Sequence, residues 1–109
     1  MLEPIMSTKS RELTLQYILT FKEGYTQEIA RYFDLAVPSV KNQLKSLENG
    51  GVLLSKQAGR TKIYFANPRY IFLPELSALL LKAKEYYKAE LKEKLTMQRM
   101  RPRRPGKPL

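Results

Sequence analysis

The chain has 109 residues and a formal net charge of +10, with 20 lysines and arginines against 10 acids, so a polyanionic partner is the first candidate. It contains neither cysteine nor histidine. That excludes disulfides, thiolate nucleophiles, cysteine-bound zinc and imidazole general bases. The length suits one domain with a tail. The start, Met1-Leu2-Glu3-Pro4, lacks the basic residues and apolar run of a signal peptide, and no apolar run could span a bilayer. A cytoplasmic protein without membrane contact is the expectation.

The spacing predicts a first helix over about 7–22. Leu15, Ile18 and Leu19 form one apolar set, and Leu13, Tyr17 and Phe21 another. A face that wide implies burial on more than one side, or a share in a subunit interface. Glu23-Gly24-Tyr25 ends it. Thr26 is the expected N-cap of a second helix running through Phe33, with Glu28 in its first turn and Ile29, Ala30 and Phe33 as its apolar stripe. Asp34-Leu35-Ala36-Val37 is a short connection. Asp34 suits a left-handed turn and Leu35 is expected to plug the core.

A third helix follows over about 38–49, opened by Pro38. Val40, Leu44 and Leu47 recur at i, i+4, i+7 and predict its buried face. Asn42, Lys45 and Ser46 fall opposite, with Ser39 and Lys41 on the flanks and Gln43 nearer the buried stripe. Asn49-Gly50-Gly51 stops the helix. Taken alone, it also reads as an ordinary solvated amphipathic helix. Its neighbours favour a recognition helix: a short helix, a tight turn and a second helix with a polar outer face make a helix-turn-helix.

Beyond Gly51 the pattern turns extended. Residues 52–56 and 62–66 predict two strands joined by a basic, glycine-containing link over 57–61, a β-hairpin. Asn67-Pro68-Arg69-Tyr70 turns the chain, and Ile71, Phe72 and Leu73 are expected to pack on the domain. A long helix is predicted over about 75–98. Leu76, Leu80, Ala83 and Tyr87 form its seam, extended by Leu79, Leu91 and Leu95. At ~1.5 Å per residue it would run roughly 35 Å, more than this domain can cover. A homodimer interface at Leu76, Leu80, Ala83, Tyr87 and Leu91 is therefore expected, with folding back over the first helix as the alternative. The end, residues 99–109, has five basic residues, no acid and several prolines. It reads as a disordered basic tail that either grips phosphates or is merely solvated. The expected organisation is thus 1–73 as the main domain, 74–98 as the dimerisation helix and 99–109 as the tail. The fold class is mainly α with a small β-hairpin (α+β).

Two stretches carry a family resemblance: Val37-Pro38-Ser39-Val40-Lys41-Asn42-Gln43-Leu44 with Leu47-Glu48-Asn49-Gly50-Gly51-Val52-Leu53, and Gly59-Arg60-Thr61-Lys62-Ile63-Tyr64. Thr26 through Phe65 resembles the ArsR/MarR-like winged helix-turn-helix transcription regulators. Gly59 through Tyr64, Asn67-Pro68-Arg69-Tyr70 and Glu75-Leu76 together look like a subgroup sometimes joined to a nucleotidyltransferase domain. The glycine-serine and paired-aspartate pattern of such an enzyme is missing. The resemblance implies a winged helix-turn-helix that binds DNA. Many such sensors bind metals through cysteines and histidines, which are missing here; carboxylates alone could hold a hard cation, but no clustered carboxylate motif is present, so no metal and no cofactor are expected.

Physics supplies the expected mechanism. A helix fits the major groove of B-DNA, where each base pair shows a distinct pattern of donors and acceptors. Asn42 would pair with adenine, Lys41 or Lys45 with guanine or phosphate, and Ser39 and Ser46 with either. Arg60 and Lys62, on a wing over about 56–62, would meet the minor groove or backbone. Thr26 and Gln27 would anchor a phosphate at a helix N-terminus. The leading expectation is a homodimeric, sequence-specific repressor bound to double-stranded DNA. An adaptor that docks a separately encoded enzyme such as a nucleotidyltransferase is the alternative, motivated by Tyr86-Tyr87 and the leucines of the last helix. RNA binding ranks third. Enzymatic activity ranks last, because the acids are scattered beside lysines.

Overall fold

A computed structural model describes residues 1–96. Within them lie six helices and one three-stranded antiparallel sheet, an α+β fold. In chain order they are α1 (Glu3–Met6), α2 (Lys9–Phe21), β1 (Glu23–Gly24), α3 (Thr26–Phe33), α4 (Val37–Asn49), β2 (Leu53–Ala58), β3 (Thr61–Ala66), α5 (Leu73–Glu85) and α6 (Ala89–Lys94).

The centre of the core is α2. Thr8 caps it by accepting from the Arg11 N–H at 3.1 Å. Every residue from Glu12 to Ile18 is buried, because neighbours surround the helix. The two apolar sets read from the sequence thus serve one chain's interior. Ile18, Ile29, Val40, Leu44, Leu53 and Leu80 form the fully buried centre.

The second helix begins differently from expectation. Tyr25, extended, holds the N-cap position and makes no side-chain cap bond, while Thr26 is already helical. Its C-terminus follows expectation. Asp34 is left-handed (φ 57°, ψ 50°), and the Leu35 N–H reaches back to the Ala30 carbonyl at 2.8 Å. Leu35 packs half-buried against the core. Pro38 lies in the first turn of α4, where no N–H is needed.

Glu23-Gly24, expected only as a helix breaker, is a strand. It pairs with β3, so the sheet order is β1-β3-β2, with Glu23 opposite Phe65 and Gly24 opposite Tyr64. Glycine is required at 24 because a Cβ there would lie 2.8 Å from Tyr17 Cε1. The hairpin pairs Leu53 with Ala66 through to Ala58 with Thr61. Its turn is therefore Gly59-Arg60 alone, shorter than the expected link. Gly59 takes a positive φ of 63°, as the first residue of a II′-type hairpin turn does.

The single long helix is not formed. The chain breaks at Tyr86-Tyr87-Lys88 into α5 and α6. The Tyr87 hydroxyl donates to the buried Glu12 carboxylate and accepts from Gln16 Nε2 at 3.0 Å. Gln16 Nε2 also donates to the Leu80 carbonyl at 2.8 Å. This network on α2 draws Tyr87 inward and turns the chain. α6 then returns to α3, where Tyr32 Oη donates to the Lys94 carbonyl at 2.6 Å and Leu95 is only 1% exposed. The expected dimer seam is consequently used within the chain. Leu80 is 1% exposed, Ala83 is buried, and Leu76, Tyr87 and Leu91 are half-buried. Ile71 and Phe72, expected to pack on the domain, stand out at 77% and 60% exposed, and only Leu73 turns partly in. The expected basic tail, residues 99–109, lies outside the described residues.

Candidate nucleic-acid interface

The helix α4 presents four distinct sides. Val40, Leu44 and Leu47 hold it to the core. Ser39, Gln43 and Ser46 turn toward α2: Ser39 Oγ lies 2.6 Å from Ser10 Oγ, Gln43 Oε1 accepts from Arg11 Nε at 2.7 Å, and Ser46 Oγ accepts from Arg11 Nη2 at 2.9 Å. Glu48 turns toward the hairpin, accepting from Ser55 Oγ at 2.5 Å and pairing with Lys62 at 3.2 Å. Lys41, Asn42 and Lys45 remain on the open side, exposed and joined to no other described residue by a hydrogen bond or ion pair. At 100° per residue, Pro38, Asn42, Lys45 and Asn49 centre this side, and it carries no acid.

The expected recognition set therefore divides. Lys41, Asn42 and Lys45 come together on the open face. Ser39 and Ser46 sit on its edge with their hydroxyls engaged by α2.

The hairpin cations divide too. Lys56 pairs with Glu23 at 3.4 Å and Lys62 with Glu48. The hydrogen bond from Ser55, with Lys62 beside it, lowers the Glu48 carboxyl below its ordinary range. Glu48 in turn raises the Lys62 ammonium. Lys62, expected as a wing cation, thus carries a local counter-charge. Arg60, at the tip, is exposed and unpaired among the described residues. Gln27 is exposed in the first turn of α3 and Thr26 is half-buried beside it, with acidic Glu28 in the same turn.

Arg11 was not among the expected residues. The sequence signal was the polar run Lys9-Ser10-Arg11 at the start of a helix otherwise read for its apolar residues. Only the crossing of α2 and α4 puts that arginine beside the open side of α4.

A separate groove of about 460 Å³ opens between α2, β3 and α5, lined by Ile18, Leu19, Leu73, Leu81 and Lys84 among others. Lys84 Nζ donates to Thr20 Oγ1 at 3.1 Å, and partial burial lowers its pKa. Among the described residues no group of three or more acids, histidines or cysteines could hold a metal. No described helix is long and apolar enough to cross a membrane. Compared with known proteins, the chain matches no family model and no curated sequence.

Proposed function

We propose that this protein is a winged helix-turn-helix regulator that binds double-stranded DNA in a sequence-specific way, with α4 in the major groove and the β2–β3 hairpin as the wing. The observation that carries the reading is the acid-free outer side of α4: Lys41, Asn42 and Lys45 stand exposed and unpaired while Glu48, the one acid of the helix, is turned to the hairpin. Arg60 at the hairpin tip adds a second open cation, and the charge of +10 supplies long-range attraction to a polyanion. Asn42 is suited to adenine and the lysines to guanine or phosphate.

The test is fluorescence anisotropy with a labelled duplex from the protein's own upstream region, a scrambled duplex and a single-stranded RNA, each at several salt concentrations. Tighter binding to the upstream duplex at every salt is the expected result. Equal binding to all three, collapsing as salt rises, would mean that charge alone acts and would defeat the proposal.

The adaptor reading keeps one specific support. Ile71, Phe72, Leu81 and Tyr86 are exposed large apolar residues, a composition suited to an interface. Under that reading a stoichiometric protein partner co-purifies and no duplex is preferred.

A further inference from the structure

The seam between α2 and α4 holds more polar chemistry than helix packing needs. Ser39, Gln43 and Ser46 follow at i, i+4 and i+7, so they form one ridge along α4. Each meets a polar partner from the first turn of α2: Ser10 at 2.6 Å, then Arg11 at 2.7 Å and 2.9 Å. The ridge borders the open face that carries Asn42 and Lys45.

Arginine only donates hydrogen bonds. Its Nε therefore dictates which way the Gln43 amide lies: the oxygen must face Arg11 and the Nε2 donor must face away. A glutamine that reads adenine needs its oxygen for the adenine amino group and its nitrogen for N7. Here the oxygen is turned to Arg11 with one lone pair spent, so the end turned away presents the donor. The matching base edge is one rich in acceptors, and guanine offers O6 and N7 side by side. The guanidinium also keeps N–H donors beyond the two it spends on Gln43 and Ser46. Arg11 is half-buried and forms no ion pair among the described residues, so its charge is uncompensated at the rim of the face.

We infer that Arg11 is a specificity-setting residue: it locks the Gln43 amide as a donor toward a guanine edge and meets a neighbouring phosphate with its remaining N–H groups. The inference rests on the DNA-binding reading above, and its failure is separable from the failure of that reading. Lysine at 11 would keep the charge but lose the planar fork that holds Gln43 and Ser46 together.

The experiment takes the preferred duplex found for the full chain and replaces each base pair in turn, for the native protein, R11K, R11A and Q43A. Circular dichroism melting checks that each variant is folded. For the native protein, one guanine replacement per site is expected to weaken binding ~10-fold or more. R11K and Q43A are expected to lose that discrimination, to ~3-fold or less, at that base pair while keeping preference elsewhere. R11K should retain the native dependence of log K on log salt, and R11A should lose about one unit of slope. A native protein with no preferred duplex overturns the DNA-binding reading and this inference with it. A native protein whose base-pair profile is unchanged in R11K and Q43A overturns the inference alone. Should R11A fail to fold, R11K and Q43A still decide the matter.

Discussion

Glu48 Oε1 stands 3.2 Å from Lys62 Nζ, and this pair, with Ser55 on the other carboxylate oxygen, ties the side of α4 to the hairpin. The tie predicts an acid-sensitive link. The fold lowers the Glu48 pKa from its ordinary 4.5. The stabilisation is therefore present above the unfolded value and is lost as pH falls through the folded value. Native protein should melt higher than E48Q at pH 6, and the gap should narrow as pH falls below about 4.5. Melting curves across pH 6 to 3 check it; a constant gap would show that ionised Glu48 contributes nothing.

The Tyr87 hydroxyl joins Glu12 and Gln16 in a buried network. Y87F should cost about 1–2 kcal/mol, because Glu12 and Gln16 each lose a partner. Burial, with Glu12 alongside, raises the Tyr87 pKa well above the usual tyrosine value. The neutral hydroxyl is the form the fold favours. Its contribution is complete below pH ~10 and declines as pH rises past it. Urea titrations at pH 8 and pH 11 should show a smaller difference between native and Y87F at the higher pH.

On the proposed interface, the hairpin cations should not be equivalent. R60A should weaken duplex binding more than K62A, because Lys62 is already faced by Glu48. K41A combined with K45A should lower the salt slope by about two units if both meet phosphates. Anisotropy titrations at three salt concentrations measure each. Equal losses for R60A and K62A would show that the Glu48 pair opens on the DNA.

Leu80 is 1% exposed inside the chain. L80A should therefore cost about 2–5 kcal/mol of folding stability by leaving a cavity. The loss should not depend on protein concentration, and sedimentation should give the same mass for both proteins. A concentration-dependent loss, or a change in mass, would return this seam to a subunit interface.

Local periodicity made most elements readable. Val40, Leu44 and Leu47 announced the buried side of α4, and Lys41, Asn42 and Lys45 its open side, because a helix of that length has one phase. Asp34 was readable for another local reason, since it occupies a left-handed position that few residues accept. The break at Tyr86-Tyr87-Lys88 had no such signal. No proline or glycine marks it, and the cause, a carboxylate on α2, lies 75 positions away. The strand Glu23-Gly24 was hidden for the same reason: two residues show no alternation, and only β3 beside them makes a ladder.

The amino-acid sequence by itself determined the helix phases, the hairpin, the lack of thiol and imidazole chemistry and the basic charge, all properties of neighbours along the chain. Tertiary structure alone decided which polar groups stay open. Ser39 and Ser46 are engaged by Ser10 and Arg11, Lys62 is faced by Glu48, and Leu80 and Ala83 meet their own core. Hydrogen bonds and ion pairs act across a few ångströms of space without regard to sequence separation, so their partners emerge only when the helices cross.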